Sequence, residues 1–507
     1  MTKLSKSYSG SMQKAPQTLL YLLLIVGISL LIHLVCMASA DLLVEEAYYW
    51  NYAQHLDFSY LDHPPMVALL IKFSTSIFGT NELSVRLTSI ICWLLTALFS
   101  YKLTRLINPD AALYAVMLLA ILPFFFLQSL VITPDLPLLV CWSASLYCLY
   151  RALILNEANY WYLAGVWLGL GMLSKYTIVL LGLASLYYVT TVPTARQWFR
   201  RKEPYASVLI AALLFTPVIY WNATHQWASF LFQSTRRFAS TSSIDLHYLL
   251  ALIFIFITPL GVLGLWELLK KNTLPVISDT VNTKRFLRIF ILVPLGFFAL
   301  FSLNHEVNLN WIGPLFLALI PWLTLLIANS PKNHALWLGT ALSLLTGYSS
   351  ALLIATFNTS ELVQEKLFIK VVAWEPLIKK FHHIAQQVEA KTKKTPVFIP
   401  LDNFPIGSEL SFYQTKFLEK GSILKSYPIA GSHLFGLDSL MYRYWSKDME
   451  LAGRPLILIS KELWRFDLPE IKRQTIEQSK LKKVWSKGQG QGVRNIPFYY
   501  QVVQMKE

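Results

Sequence analysis

The stretch "EEAYYWNYAQHLDFSYLDHPP", residues 45–65, sets Glu45, Glu46, Asp57 and Asp62 and two histidines, His55 and His63, among aromatic rings. Carboxylates suit proton transfer when one lies within hydrogen-bond reach of the proton it takes. Adjacent carboxylates do not share a helix face. One of Glu45 and Glu46 can therefore point into a site while the other holds a neighbour. Expelling a phosphate requires cations, and Lys175, Arg86, Arg236 and Arg237 are available. Tyr48, Tyr49, Trp221, Asn222, His225, Trp227, Asn310 and Trp311 are the candidate substrate contacts. Rings of this kind suit sugar faces and isoprenoid chains alike. Acids and cations gathered on one membrane face suit glycosyl transfer from a lipid phosphate.

Each feature also has a plainer reading. Glu45 and Glu46 can be a solvated helix start. Asp62-His63-Pro64-Pro65 can be a turn, since proline stops one element and opens another. Asp135 can cap a helix with Pro137 in its first turn. Lys175 can snorkel to the interface, and Trp221, Trp227 and Trp311 fit an aromatic interface belt.

The elements that must position these residues are membrane helices. The chain has 507 residues, of which 55% are hydrophobic and 14% charged, with a mean hydropathy of +0.46. Soluble domains are rarely so apolar, and runs of about 20 apolar residues cross a bilayer core of roughly 30 Å. The formal net charge of +15 is explained first by basic cytoplasmic loops and second by anionic lipids or substrates; nucleic acid is not implied. Cys36, Cys92, Cys141 and Cys148 all lie in apolar runs. They offer neither a disulfide framework nor a zinc-binding spacing.

Eleven spans are expected near residues 18–38, 88–107, 111–130, 136–153, 160–174, 177–194, 206–221, 246–269, 287–303, 311–329 and 335–356; the count could rise to thirteen. The first is read as an uncleaved helix, although "ASA" at 38–40 resembles a cleavage site. Basic residues orient the set. Lys3, Lys6 and Lys14 place the N-terminus inside, and Lys102, Arg105, Arg151, "ARQWFRRK" (195–202), Lys270 and Lys271 mark further inner ends. Keeping 195–202 inside requires a break near Lys175. Residues 39–87 then form the first periplasmic loop, 1–356 a membrane domain and 357–507 a periplasmic α/β domain. "PVFIP" (396–400) and "PLILIS" (455–460) read as buried strands, and "EIKRQTIEQSKLKKVW" (470–485) as a helix or its polar surface.

The quoted stretch resembles the first outer loop of the dolichyl-phosphate-mannose–protein mannosyltransferase superfamily, glycosyltransferase family 39. The bacterial branch related to the lipid A aminoarabinose transferases is the most similar. The likeness runs on through "GTNELSVRL" (79–87), "TPDLPLLVCW" (133–142), "AGVWLGLGMLSKYT" (164–177), "PVIYWNATHQWASFLFQ" (217–233), "EVNLNWIGP" (306–314) and "GSELSFYQ" (407–414). It implies a GT-C fold that takes a sugar from a polyprenyl-phosphate carrier on the outer face of the inner membrane, with inversion. It implies a catalytic base in the first loop. Where the family has Asp-Glu this chain has Glu45-Glu46, so Glu45 takes that role, with Glu46 and Asp41 as rivals. Asp62 and His63 match a second acidic/basic pair, Asp135 the acid opening the fourth span, and Lys175 the lysine near the carrier phosphate. The implied partners are a polyprenyl-phosphate sugar donor, a lipid or glycolipid acceptor such as lipid A or lipopolysaccharide, and membrane lipids. A divalent cation could be held by the carboxylates and His63, although no spacing demands one. The rival readings are a protein O-mannosyltransferase and a transporter or flippase. Transporters tend to show inverted repeats, and no repeat is visible here.

Overall fold

Apolar runs become helices, and proline and glycine set where they stop. In this computed structural model, which describes residues 5–236, 246–270, 280–303, 305, 309–328, 334–357, 372–447, 449–486 and 496–506, the principal elements follow in chain order. They are α1 (Ser5–Ser39), α2 (Val44–Gln54), α3 (Met66–Phe78), α4 (Glu82–Ile107), α5 (Ala112–Ile121), α6 (Pro123–Gln128), α7 (Asp135–Leu153), α8 (Tyr160–Met172), α9 (Val179–Thr191) and α10 (Glu203–Thr224). There follow α11 (Leu246–Leu269), α12 (Thr280–Phe301), α13 (Ile320–Ala328), α14 (His334–Phe357), α15 (Trp374–Thr392), β1 (Val397–Pro400), α16 (Pro405–Glu419), β2 (Pro455–Ser460), β3 (Thr475–Glu477), β4 (Lys482–Ser486) and β5 (Ile496–Met505). The chain divides into one unit of residues 1–35 and 89–350 and a second of residues 36–88 and 351–507. The first loop thus belongs with the C-terminal segment, not with the helices that flank it in sequence.

The first unit is helical. Among the described residues, three helices (α4, α7 and α10) are long and apolar enough to cross a membrane, or up to seven if each of four bent helix pairs is one span. The expected span at 111–130 is broken into α5 and α6 at Leu122-Pro123, because proline cannot donate the helical hydrogen bond. The expected span at 160–174 is the 13-residue α8, only about 20 Å long at 1.5 Å per residue. Small residues seat it. A Cβ on Gly165 would come within 2.5 Å of the Ser207 carbonyl oxygen, and one on Gly169 within 2.8 Å of Leu214. These glycines, one turn apart, let α8 lie directly against α10, as small-residue faces do in membranes. The break required near Lys175 is present: α8 ends at Met172, and Lys175 is extended (φ −160°, ψ 137°) before one 3-10 turn leads into α9. All four cysteines are buried and free.

The second unit contains a five-stranded sheet of order β1-β2-β5-β3, with β4 also paired to β5. β1 and β2 are parallel, and β5 runs antiparallel to β2, β3 and β4. The two strands expected from sequence are β1 and β2. Their inward residues Val397, Ile399, Leu456 and Leu458 pack with Val503, Phe435 and Phe466 in one core. The segment 470–485 departs from expectation. After a single helical turn (Pro469–Gln474) it forms β3 and β4. Its residues are locally compatible with a helix, but pairing to the ten-residue β5 supplies hydrogen bonds that outweigh that preference.

Candidate active site

The first-loop acids fall into distinct states. α2 places Glu46 at 0% exposure, and its carboxylate meets Arg86 from α4 with Nη2 at 2.6 Å and Nε at 2.9 Å. The rest of the guanidinium is also used. Nη1 donates to the carbonyls of Met37 (3.0 Å) and Ala40 (2.7 Å), and Nη2 donates to the carbonyl of Asp41 (2.8 Å). Glu46 also accepts the Leu43 amide at 2.9 Å, closing the start of α2. Five guanidinium N–H groups are thereby committed to the loop's own backbone and to Glu46.

Asp62 is 8% exposed, and one of its oxygens accepts from the Tyr48 hydroxyl (3.2 Å) and from Tyr52. The Met441 amide donates to the Tyr48 hydroxyl at 3.3 Å. Tyr52 stacks on Tyr60, and Trp445 stacks on His55. Asp62 therefore pins an aromatic cluster. Tyr49 is buried, with the His63 ring edge-on at 5.7 Å. The turn that Asp62-His63-Pro64-Pro65 can make is present, since Pro65 directly precedes α3. The Asp41 side chain accepts the Trp374 amide at 3.3 Å, and burial raises its pKa, with Glu82 adding to the shift.

Glu45 differs from all of these. It is exposed, and its carboxylate has no hydrogen-bond or ion-pair partner among the described residues. The helix alternation that buries Glu46 turns Glu45 outward.

In the first unit, Asp135 opens α7 at 1% exposure but does not cap it. Its two oxygens hold two partners. Oδ1 accepts from Lys175 Nζ at 2.6 Å, and Oδ2 accepts from Asn310 Nδ2 at 2.5 Å. Lys175 is 6% exposed, so it does not snorkel. Ionisable groups at such depth are costly and mark function by default. Trp221 is buried, with His225 stacked on it at 4.1 Å. Asn222 is spent on backbone: its carbonyl oxygen accepts the amides of Ser229 and Phe230, and its amide donates to the Val218 carbonyl. Gln226 and Trp227 hold positive φ of 55° and 59°, a costly backbone for such residues, and Trp227 is exposed. Trp311 packs on Phe298 and Phe301. Arg236 lies in the short π-helical turn Phe232–Arg236, and Arg237 lies outside the described residues.

Sequence reasoning missed a third ion network. Lys416 of α16 bonds Glu82 at 2.6 Å and Glu375 at 3.0 Å, while the neighbouring Thr80 donates to Glu419 through both its amide and its hydroxyl. Its residues lie in "GTNELSVRL" (Thr80, Glu82), just past "GSELSFYQ" (Lys416, Glu419) and at Glu375, and their charges carry no local sign that they meet. Among the described residues, no group of three or more His, Cys, Asp or Glu side chains is placed to hold a metal ion.

A family model described as dolichyl-phosphate-mannose-protein mannosyltransferase matches residues 62–221. Lipid A galacturonosyltransferase RgtD of Rhizobium johnstonii is 26% identical over 228 residues, 45% of this chain and 47% of that protein. The match therefore spans about half the length of this curated relative. The crystal structure of ArnT from Cupriavidus metallidurans bound to undecaprenyl phosphate superimposes with a TM-score of 0.60 at 15% identity, covering 95% of this chain and 97% of that one. Its apo state gives 0.62 at 14% identity, covering 96% and 98%. These matches bear out the resemblance read from sequence. The chain is similar to dolichyl-phosphate-mannose-protein mannosyltransferases over residues 62–221 and to a lipid A galacturonosyltransferase over about half its length, and it shares the fold of ArnT.

Proposed function

We propose, for a relative of the bacterial lipid A-modifying transferases, an inner-membrane glycosyltransferase that moves a monosaccharide from a polyprenyl phosphate carrier to lipid A or a similar envelope glycolipid. The active site and the C-terminus face the periplasm. The donor class follows the undecaprenyl phosphate bound by ArnT, and the acceptor class follows RgtD. The observation that carries the reading is the division of the first-loop acids: Glu46 and Asp62 are spent on Arg86 and two tyrosines, while Glu45 is not.

Glu45 takes the proton of the acceptor hydroxyl as that oxygen bonds to the anomeric carbon. The bond from this carbon to the phosphate oxygen breaks on the opposite face, and its electron pair leaves with polyprenyl phosphate. The configuration inverts. The leaving phosphate gains a negative charge, which Lys175 meets. Asp135, itself held by Asn310, keeps Lys175 in place. Arg86, with its N–H groups committed, serves as the anchor of the loop and not as a phosphate ligand. The test is purified protein with a lipid-linked sugar and lipid A, read by the mass of the product lipid. An unmodified lipid A with every polyprenyl-phosphate sugar tried would overturn the proposal.

Lys175→Ala should lower kcat by about 10²–10³-fold, the usual effect of losing one transition-state charge contact. The single variant also strands Asp135, so Lys175→Ala/Asp135→Asn is the matched control. It should regain thermal stability and remain slow. Wild-type turnover in the double variant would mean that Lys175 only neutralises Asp135.

Orientation carries its own expectation. The basic run at 195–202 lies in a 3-10 segment and the turn after it. Reporter fusions near residue 200 should be cytoplasmic and those near residue 400 periplasmic. Periplasmic alkylation of a cysteine placed at residue 200 would reverse the assignment.

A further inference from the structure

α16 carries one buried acid that the proposed reaction does not use. Glu409 lies in the middle of α16 at 0% exposure, and neither of its carboxylate oxygens has a hydrogen-bond partner among the described residues. The residues beside it fasten α16 to α2. Asn51 donates to the Ser408 carbonyl at 3.3 Å, and Trp50 meets Phe412 edge-on at 5.3 Å. α2 is the helix that presents Glu45.

Charged and titratable groups act electrostatically on Glu409 from several segments of this unit. They are Asp41 before α2, Glu46 in α2, Glu82 and Arg86 in α4, Tyr413 on α16 itself, and Tyr442 and Lys461 on either side of β2. Two of these are cations, and a third cation, Lys416 of α16, is spent on Glu82 and Glu375. Arg86 is committed to Glu46 and three carbonyls. Lys461 lies over the rings of Trp374 and Phe498 at 5.4 and 5.3 Å. An ionised Glu409 would add a fourth carboxylate charge with no donor to receive it, an expensive arrangement in a buried site. A protonated Glu409 carries an O–H donor of its own among acceptor carboxylates. Burial, with Asp41 and Glu46 adding, pushes its pKa well above the ordinary carboxylate range, in agreement with this geometry.

We infer that Glu409 is a positioning residue that works as a neutral acid, holding the Glu46–Arg86 clamp and, through α2, the orientation of Glu45. The inference rests on the reading of Glu45 as the base. It makes the active loop sensitive to alkaline conditions, because ionisation of Glu409 adds a buried carboxylate charge that no donor among the described residues receives. The sign follows from linkage. The folded state keeps a proton that the unfolded chain releases above about 4.5, so stability is lost as pH rises from there towards the folded pKa.

The test uses the full-length protein in detergent, with Glu409→Gln and Glu409→Ala beside wild type between pH 5 and pH 9. The thermal midpoint is measured together with kcat and the KM for lipid-linked donor. Glu409→Gln stays neutral and can still donate, so it should keep the wild-type kcat and flatten the alkaline fall of the midpoint. Glu409→Ala should lower kcat by up to about 100-fold, as a small misplacement of a reacting group does, with KM unchanged. An alkaline slope in Glu409→Gln equal to that of wild type, or wild-type kcat in Glu409→Ala, would overturn the inference. The midpoint needs no substrate. A flattened midpoint alongside a fully active Glu45→Gln would uphold Glu409 as a neutral acid and remove Glu45 as the base.

Discussion

Glu45→Gln is expected to lower turnover by about 10²–10⁴-fold, the range that general-base catalysis supplies, while thermal stability stays at the wild-type level. The amide keeps the size and hydrogen bonding of the side chain but cannot take a proton. The exposed position of Glu45, without a partner among the described residues, is the reason that folding should not suffer. Glu46→Gln should behave differently. Its carboxylate is buried against Arg86, so its loss should appear first in stability and only through that in rate. The decisive comparison measures kcat and thermal midpoint for both variants on one lipid-linked donor. Full activity in Glu45→Gln with a dead but folded Asp41→Asn would move the base to Asp41.

Arg86→Ala should cost about 3–5 kcal/mol of stability, because it leaves the buried Glu46 carboxylate without its counter-charge. Removing both partners should cost less than removing one, since the double variant strands no charge. Arg86→Ala/Glu46→Ala is therefore expected to melt above Arg86→Ala, and a double-mutant cycle on the thermal midpoints gives the coupling. An Arg86→Ala protein as stable as wild type would mean that the Met37, Ala40 and Asp41 carbonyls and Glu46 are satisfied some other way, and the clamp would lose its meaning.

Much of the fold is legible in local patterns. β1 and β2 can be read from short apolar runs that open on a proline, because a strand buried on both faces needs no alternation. The break at Lys175 can be read from the basic run at 195–202, since the positive-inside rule forces a turn between two apolar segments. The misses share one cause. β3 and β4 lie in a segment whose local composition is compatible with a helix, and only β5, further along the chain, makes them strands. The Lys416 network joins residues more than three hundred positions apart.

Hydropathy and the placement of basic residues are enough to make this a polytopic membrane chain and to locate several of its helix breaks, and its motifs are enough to relate it to transferases using lipid-linked sugars. Which acid is spent is settled only when distant segments meet. Glu45 and Glu46 are neighbours of nearly identical chemistry, and nothing local distinguishes them. Arg86, forty residues on, binds Glu46, and Glu409 arrives from the far end of the chain. The difference is one of scale. Hydropathy and helix propensity act within a few turns, and propensities differ by tenths of a kcal/mol per residue. A buried carboxylate without a counter-charge costs several kcal/mol, so the partner that the fold brings to it, and not its sequence neighbours, decides what it does.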